Sequence, residues 1–282
     1  MTIYADNAAT TRLSQTALEA MRPYFDELYG NPSSLHLAGQ EAARALTRAR
    51  EQIALNLGCQ PREITFTSGG SESDNQAIYS AARLGAVQGR RHILSTTIEH
   101  HAVLKPLEHL AESGFDVELL PVDSFGLVTA EQVASAIRED TCLVSVMYAN
   151  NEIGSVQPVA EIGRICRERG VLFHCDAVQA PGQLRLDLQN IQADLLSLSA
   201  HKFHGPKGIG ILVARQGLEL TPLIRGGAQE RGKRAVTENL PAVIGMAAAL
   251  EEATTARREN ARSLAAMRDR LIRASWAFLM RS

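Results

Sequence analysis

Cysteine is scarce in this 282-residue sequence: Cys59, Cys142, Cys166 and Cys175 are its 4 thiols, and no two form a CxxC pair. That is too few for a disulfide scaffold of this length, so they read as reduced thiols. Long apolar runs are missing too. Ala242 to Leu250 is among the longest, well short of the roughly 20 residues that cross a bilayer. The start, Met1 to Asp6, has neither the basic nor the apolar block of a secretion signal, and a cytoplasmic location is expected. An excess of charge is also lacking: 29 Lys and Arg against 31 Asp and Glu leave a net −2, which gives no reason to expect nucleic acid or an anionic membrane as partner. What remains is a globular composition, 45% hydrophobic and 21% charged, without internal repeats.

From Glu63 to Arg215 short β-rich runs alternate with helical patterns, which predicts an α/β fold with helices packed around a mostly parallel sheet. Seven strands are expected: Ile64–Thr67, His92–Thr96, Val117–Val122, Leu143–Tyr148, Val171–Cys175, Leu195–Leu198 and Gly210–Ala214. Several are continuous apolar runs suited to burial on both faces. Val159, Ile162 and Cys166 mark one face of a helix over Pro158–Arg169, with Pro158 in its first turn and Gly170 ending it. Thr129-x-x-Gln132 is a capping box ahead of Val133 and Ile137. Leu18, Met21, Phe25 and Leu28 make one apolar stripe, and Ala38–Leu57 is rich in helix formers. A long helical stretch runs from about Leu240 to Arg273. The expected division is an N-terminal arm (1–20), a large α/β domain (21–240) and the start of a further unit (241–282).

Three signals carry chemistry. Ser199-Ala-His-Lys202-Phe-His204-Gly-Pro-Lys-Gly208 directly follows an apolar strand, and α/β proteins hold ligands at the carboxyl ends of their strands. A lone loop lysine is ordinarily a solvated surface residue. Asp176-Ala-Val-Gln179 stands at another strand end, where an Asp alone reads equally as a helix cap. Together they fit a pyridoxal ring, which needs an amine at one edge and a carboxylate on the ring nitrogen opposite. Thr67-Ser-Gly-Gly70-Ser71-Glu-Ser73 opens a helix, where free N–H groups bind phosphate, although Gly-Gly-Ser is also a common turn. His201-x-x-His204 with His174 or Cys175 forms an alternative, looser zinc set.

With these in place the chain resembles the cysteine desulfurases, pyridoxal 5'-phosphate enzymes of the class V aminotransferase type. The likeness runs through Tyr4–Thr11, Gly30–Ser34, Thr67–Asn75, Glu99-His100, Asn150–Gly154, Asp176–Gln179, Ser199–Gly208 and Arg225–Asn239. It implies the large domain of a pyridoxal-phosphate transferase. It also implies conversion of L-cysteine to L-alanine with the sulfur held as an enzyme persulfide, for iron–sulfur cluster assembly or another acceptor protein. By this resemblance Lys202 carries the cofactor and moves the Cα proton, Asp176 pairs with the ring nitrogen and Gln179 bonds the ring's phenolic oxygen. His100 stacks on the ring and also shuttles protons as a second catalytic residue, Asn151 orients the substrate, and Gly70, Ser71, Ser199 and His201 take the phosphate. Thr237 reaches the phosphate of a second subunit, implying a homodimer with a composite site.

The resemblance also implies a mobile-loop cysteine and a substrate-clamping arginine in a C-terminal part that this sequence does not carry, hence a truncated chain with an apolar, uncapped end at Trp276–Ser282. None of the four thiols matches that cysteine's motif. The alternative function is a non-catalytic pyridoxal-phosphate-binding or assembly subunit. Where relatives usually have Gly, this sequence has Val236, which strains the loop if the position needs a positive φ.

Overall fold

A computed structural model describes residues 3–279; Met1, Thr2 and residues 280–282 of the apolar end lie outside the described residues. In chain order the elements are α1 (Gln15–Met21), α2 (Pro23–Asp26), α3 (Leu37–Leu57), β1 (Ile64–Thr67), α4 (Gly70–Val87), β2 (His92–Thr96), α5 (His101–Glu112), β3 (Asp116–Leu120), α6 (Ala130–Ala136), β4 (Thr141–Ser145), α7 (Val159–Arg169), β5 (Leu172–Asp176), α8 (Leu188–Ile191), β6 (Leu195–Ser199), β7 (Gly210–Ala214) and α9 (Leu240–Leu279).

The seven strands form one sheet in the order β1-β7-β6-β5-β4-β2-β3. β7 runs antiparallel to both its neighbours, and the remaining pairs are parallel. β1 therefore points the same way as β6, and six strands bring their carboxyl ends to one edge of the sheet. Side chains alternate across it. Ile93, Leu143, Leu195 and Leu212 pack with Ala77, Ile78 and Ala81 of α4 and with Leu107 of α5. Leu94, Val144, Phe173, Leu196 and Ile211 pack on the other face with Ile53 of α3, Ile162 of α7 and Met246 of α9. The sheet is thus buried on both sides, which is why its strands read as near-continuous apolar runs.

Four strands, β3, β4, β5 and β6, differ from the expected bounds by one to three residues. β4 starts two residues early and gives way after Ser145 to a segment whose Val146 and Tyr148 N–H groups still bond to His174 and Asp176 carbonyls of β5. The stripe Leu18–Leu28 is not one buried face. Pro23, which has no N–H to donate, starts a separate short helix, and of the four residues only Met21 is buried. Pro158 is the N-cap of α7 rather than part of its first turn, while Gly170 ends the helix at φ 65° as expected. Both hydrogen bonds of the Thr129–Gln132 capping box are formed. α9 lies against α1 and α3. Val236 does not have positive φ, so the anticipated strain is absent there; Glu230 (47°) and Arg231 (58°) of the same loop do.

Candidate active site

The strand ends enclose a cleft of about 260 Å³, lined by Gly70, Ser71, Asp74, His100, Met147, Asn151, Asp176, Val178, Gln179, Ser199, His201 and Lys202, with Ala9 and Ala149. Nine of the ten residues expected at the site are thereby brought together. Thr237 is not; it lies exposed in the loop ahead of α9.

Asp176 is the last residue of β5 and Lys202 ends the turn after β6, so neighbouring strands deliver acid and amine to one cavity. Asp176 is buried, and its Oδ1 accepts the Val178 N–H at 3.0 Å. Burial pushes its carboxyl up to about 7, the nearby Asp74 carboxyl pushes in the same direction, and the Val178 N–H and the His174 and His100 rings pull it down. The Lys202 Nζ donates to the Ala8 carbonyl, which also accepts Gln179 Nε2 at 3.0 Å. Partial burial holds the Lys202 amine below its ordinary value, against the opposing charges of Asp176, Asp6 and Glu152. The N-terminal segment is fastened here as well: Thr11 N donates to the His201 carbonyl at 2.9 Å, and Thr10 Oγ1 lies 3.0 Å from His201 Nδ1.

His100 is the N-cap of α5 and its Nδ1 accepts the Ala102 N–H at 3.1 Å, which leaves Nε2 to carry the hydrogen when the ring is neutral. Asn151 bonds Glu152 Oε1 through Nδ2 at 2.6 Å. Gly70 opens the 18-residue α4, whose free N–H groups and positive dipole end face the cleft beside Ser199 and His201. A Cβ on Gly70 stands 2.7 Å from Val178 Cγ2, so a larger residue here displaces the Val178 side chain in the turn after β5. Arg234 pairs with Glu72 in the first turn of α4 and ties the 226–239 loop to the same helix end.

Beneath the cleft runs a buried polar seam that was not expected. His174 Nδ1 lies 2.8 Å from Ser145 Oγ, and Nε2 lies 3.0 Å from Ser197 Oγ and 3.5 Å from Asp74 Oδ1. Burial pushes the His174 ring down to about 4. It pushes Asp74 up to about 7, against a hydrogen bond with Ser197, and Glu99 up to about 8, against hydrogen bonds from Thr96 and Met147 N–H. The one available signal was a polar residue, Ser145, His174 or Ser197, two positions after a leucine in each of three otherwise apolar strands. The zinc alternative fails on the same geometry: both His174 nitrogens face serine hydroxyls, His204 Nδ1 bonds the Arg12 carbonyl, and no group of three or more metal-binding side chains forms among the described residues.

Residues 3–274 match the family model for aminotransferase class-V. The chain belongs to this family. Among class-V relatives, the cysteine desulfurase IscS of Methanosarcina thermophila is 48% identical over 270 residues, which cover 96% of this chain and 67% of that protein. The cysteine desulfurase NifS of Azotobacter vinelandii is 45% identical over 270 residues, with 95% and 67% covered. A solved NifS-like protein superposes with a TM-score of 0.95 at 43% identity, covering 98% of this chain and 76% of its own. SspA in complex with cysteine does so at 0.85 and 42%, covering 89% and 72%.

Class-V enzymes use pyridoxal 5'-phosphate, and the residues present fit it. The cleft offers a partly buried amine, a buried carboxylate on the next strand, and a helix N-terminus whose glycine leaves room that a Cβ would fill. The four thiols do not join this set. Cys142, Cys166 and Cys175 are buried, none of the four lines the cleft, and desolvation pushes Cys59 and Cys166 up to about 12, Cys142 up to about 11 and Cys175 well above the thiol range. Cys175, though adjacent to Asp176, points to the opposite face of the sheet into the apolar core.

Proposed function

We propose that this chain is built for the pyridoxal-phosphate chemistry of a cysteine desulfurase, acting on L-cysteine to yield L-alanine and transferable sulfur. The observation that carries the reading is the convergence of Lys202, Asp176 and the α4 N-terminus on one cleft. The cofactor supplies an aldehyde carbon that condenses with amines and a ring that draws electron density from the carbon beside the nitrogen. Lys202 would hold that carbon, and once a substrate amine had displaced it, its freed amine, kept less basic by burial, would take and return the proton at the substrate Cα. Asp176 balances the positive ring nitrogen from the opposite edge. Gly70 and Ser71 N–H groups with Ser199 and His201 would hold the phosphate, Gln179 would meet the phenolic oxygen, and His100 would cover the ring with Nε2 left free of the Ala102 bond. Asn151 orients the substrate.

Residues 21–240 form the cofactor-binding unit, 1–20 an arm fastened to its cleft, and 241–282 the start of a further unit whose first turns pack into the same core. Thr237, exposed on a loop anchored by the Arg234–Glu72 pair, is presented to a second copy, so the working form is a homodimer. Among the described residues no helix is long and apolar enough to cross a membrane. The cytoplasm, with an iron–sulfur scaffold or similar acceptor protein, is the proposed setting.

A second reading is favoured by the thiols. None of the four stands in the cleft as a thiolate, so no described cysteine receives the sulfur, and the chain alone binds cofactor and substrate without turnover. One experiment separates the two. Protein supplied with pyridoxal phosphate turns yellow, and Lys202→Ala removes the colour; a colourless wild type refutes the site. With L-cysteine, sulfide and alanine at background support the binding-only reading; sustained release of both supports the active desulfurase and refutes it.

A further inference from the structure

Asp74 has no part in the scheme above, yet it lines the same cleft. It sits on the fifth residue of α4, past the turn in which a carboxylate caps a helix, and is 1% exposed. Its Oδ1 has no hydrogen-bond partner, and the Ser197 hydroxyl is the one hydrogen-bonding group set against its burial. The nearest ring nitrogen, His174 Nε2 at 3.5 Å, is closer to Ser197 Oγ at 3.0 Å. An ionised carboxylate in such a place is expensive, whereas a neutral acid is tolerated. Asp176, also buried, differs in two respects. It accepts a backbone N–H at 3.0 Å, and it faces the Lys202 amine.

Two buried carboxyl groups beside one another do not both ionise, and the proton stays on the one whose anion is held less well. We propose that Asp74 is a positioning residue for Asp176: held as the neutral acid at the floor of the cleft, it leaves Asp176 as the single carboxylate facing the cofactor's ring nitrogen. The other groups around the pair are His174 from β5, Ser145 and Ser197 from β4 and β6, Glu99 and His100 from the loop before α5, and Lys202. Burial of His174 keeps it from supplying a second positive charge that would hold Asp74 ionised. Ionising Asp74 adds negative charge beside the ring nitrogen, so the lysine-bound cofactor holds its proton to higher pH. This inference rests on the pyridoxal-phosphate reading.

The test uses wild type, Asp74→Asn and Asp74→Thr, neither variant carrying a carboxyl at 74, so one folded variant suffices. Infrared spectra in H2O and D2O, with and without pyridoxal phosphate, report protonated carboxyl groups. The pH titration of cofactor colour reports charge beside the ring. The expected results are loss of one protonated-carboxyl component in the variants, cofactor binding by Asp74→Asn within threefold of wild type, and a wild-type colour titration broader than the one-proton curve of Asp74→Asn. A yellow wild type whose infrared component survives both substitutions shows Asp74 to be ionised and overturns the inference alone. So does a more than tenfold weakening of binding in Asp74→Asn. A colourless wild type overturns the cofactor reading and this inference with it.

Discussion

Replacing Gly70 by alanine probes the phosphate end of the cleft through a clash whose size can be worked out. The added Cβ meets Val178 Cγ2 at 2.7 Å and Ser199 Cβ at 3.5 Å; the second is ordinary contact, so Val178 must move. Overpacking of this kind costs about 1–3 kcal/mol where nothing can yield. Val178, however, borders the open cleft of about 260 Å³ and can turn into it. In the free protein most of the strain is therefore relieved, and alanine in place of glycine recovers up to about 1 kcal/mol of helix stability. The melting temperature should stay within a few degrees of wild type. With pyridoxal phosphate bound, that space is no longer free, and a penalty of about 2 kcal/mol appears as a Kd raised roughly 30-fold. The assay is a fluorescence titration with the cofactor on the Lys202→Ala background, where binding is reversible. Val178→Ala added to Gly70→Ala should recover at least about 1 kcal/mol, a coupling expected only of residues in contact. A Gly70→Ala Kd within threefold of its parent, or a double variant no tighter than Gly70→Ala, refutes the reasoning.

Glu99 holds its proton to about pH 8 when buried, whereas in the unfolded chain it loses it near 4.5. Between these values the folded state binds the extra proton, so this group's contribution to stability falls as pH rises. Glu99→Gln should gain about 2–4 kcal/mol relative to wild type between pH 5 and pH 8.5 in urea denaturation, and an unchanged difference would count against it. Glu230 pairs with Arg50 at 2.6 Å and accepts the Phe66 N–H at 2.9 Å, so Glu230→Ala strands a nearly buried guanidinium and should cost about 3–5 kcal/mol in the same assay. The three buried thiols and the suppressed Cys59 should resist Ellman's reagent at neutral pH until the protein is unfolded; rapid labelling of any of them would show that its burial is not maintained.

The sheet was legible because strands buried on both faces leave uninterrupted apolar runs, and Lys202 and Asp176 were legible because each follows such a run directly. The break at Pro23 could have been read from proline chemistry alone, since the Leu18–Leu28 stripe crosses a residue that cannot continue the hydrogen-bond ladder. Other features leave no residue-level mark. The oxygen that holds Lys202 and Gln179 is the Ala8 carbonyl, which any side chain at position 8 would carry equally. The buried seam lies between these extremes. Ser145, His174 and Ser197 occupy alternate positions with Leu143, Leu172 and Leu195, so all fall on the face that α4 covers. Polar atoms buried there have to find partners on that face. That much follows from period two. What does not follow is that α4 lays Asp74 over the seam, because that depends on where the crossover sets the helix down, and local sequence says nothing of it. A carboxyl group read alone as a solvated helix residue becomes, once the helix is placed, a buried acid facing the same cavity as Asp176.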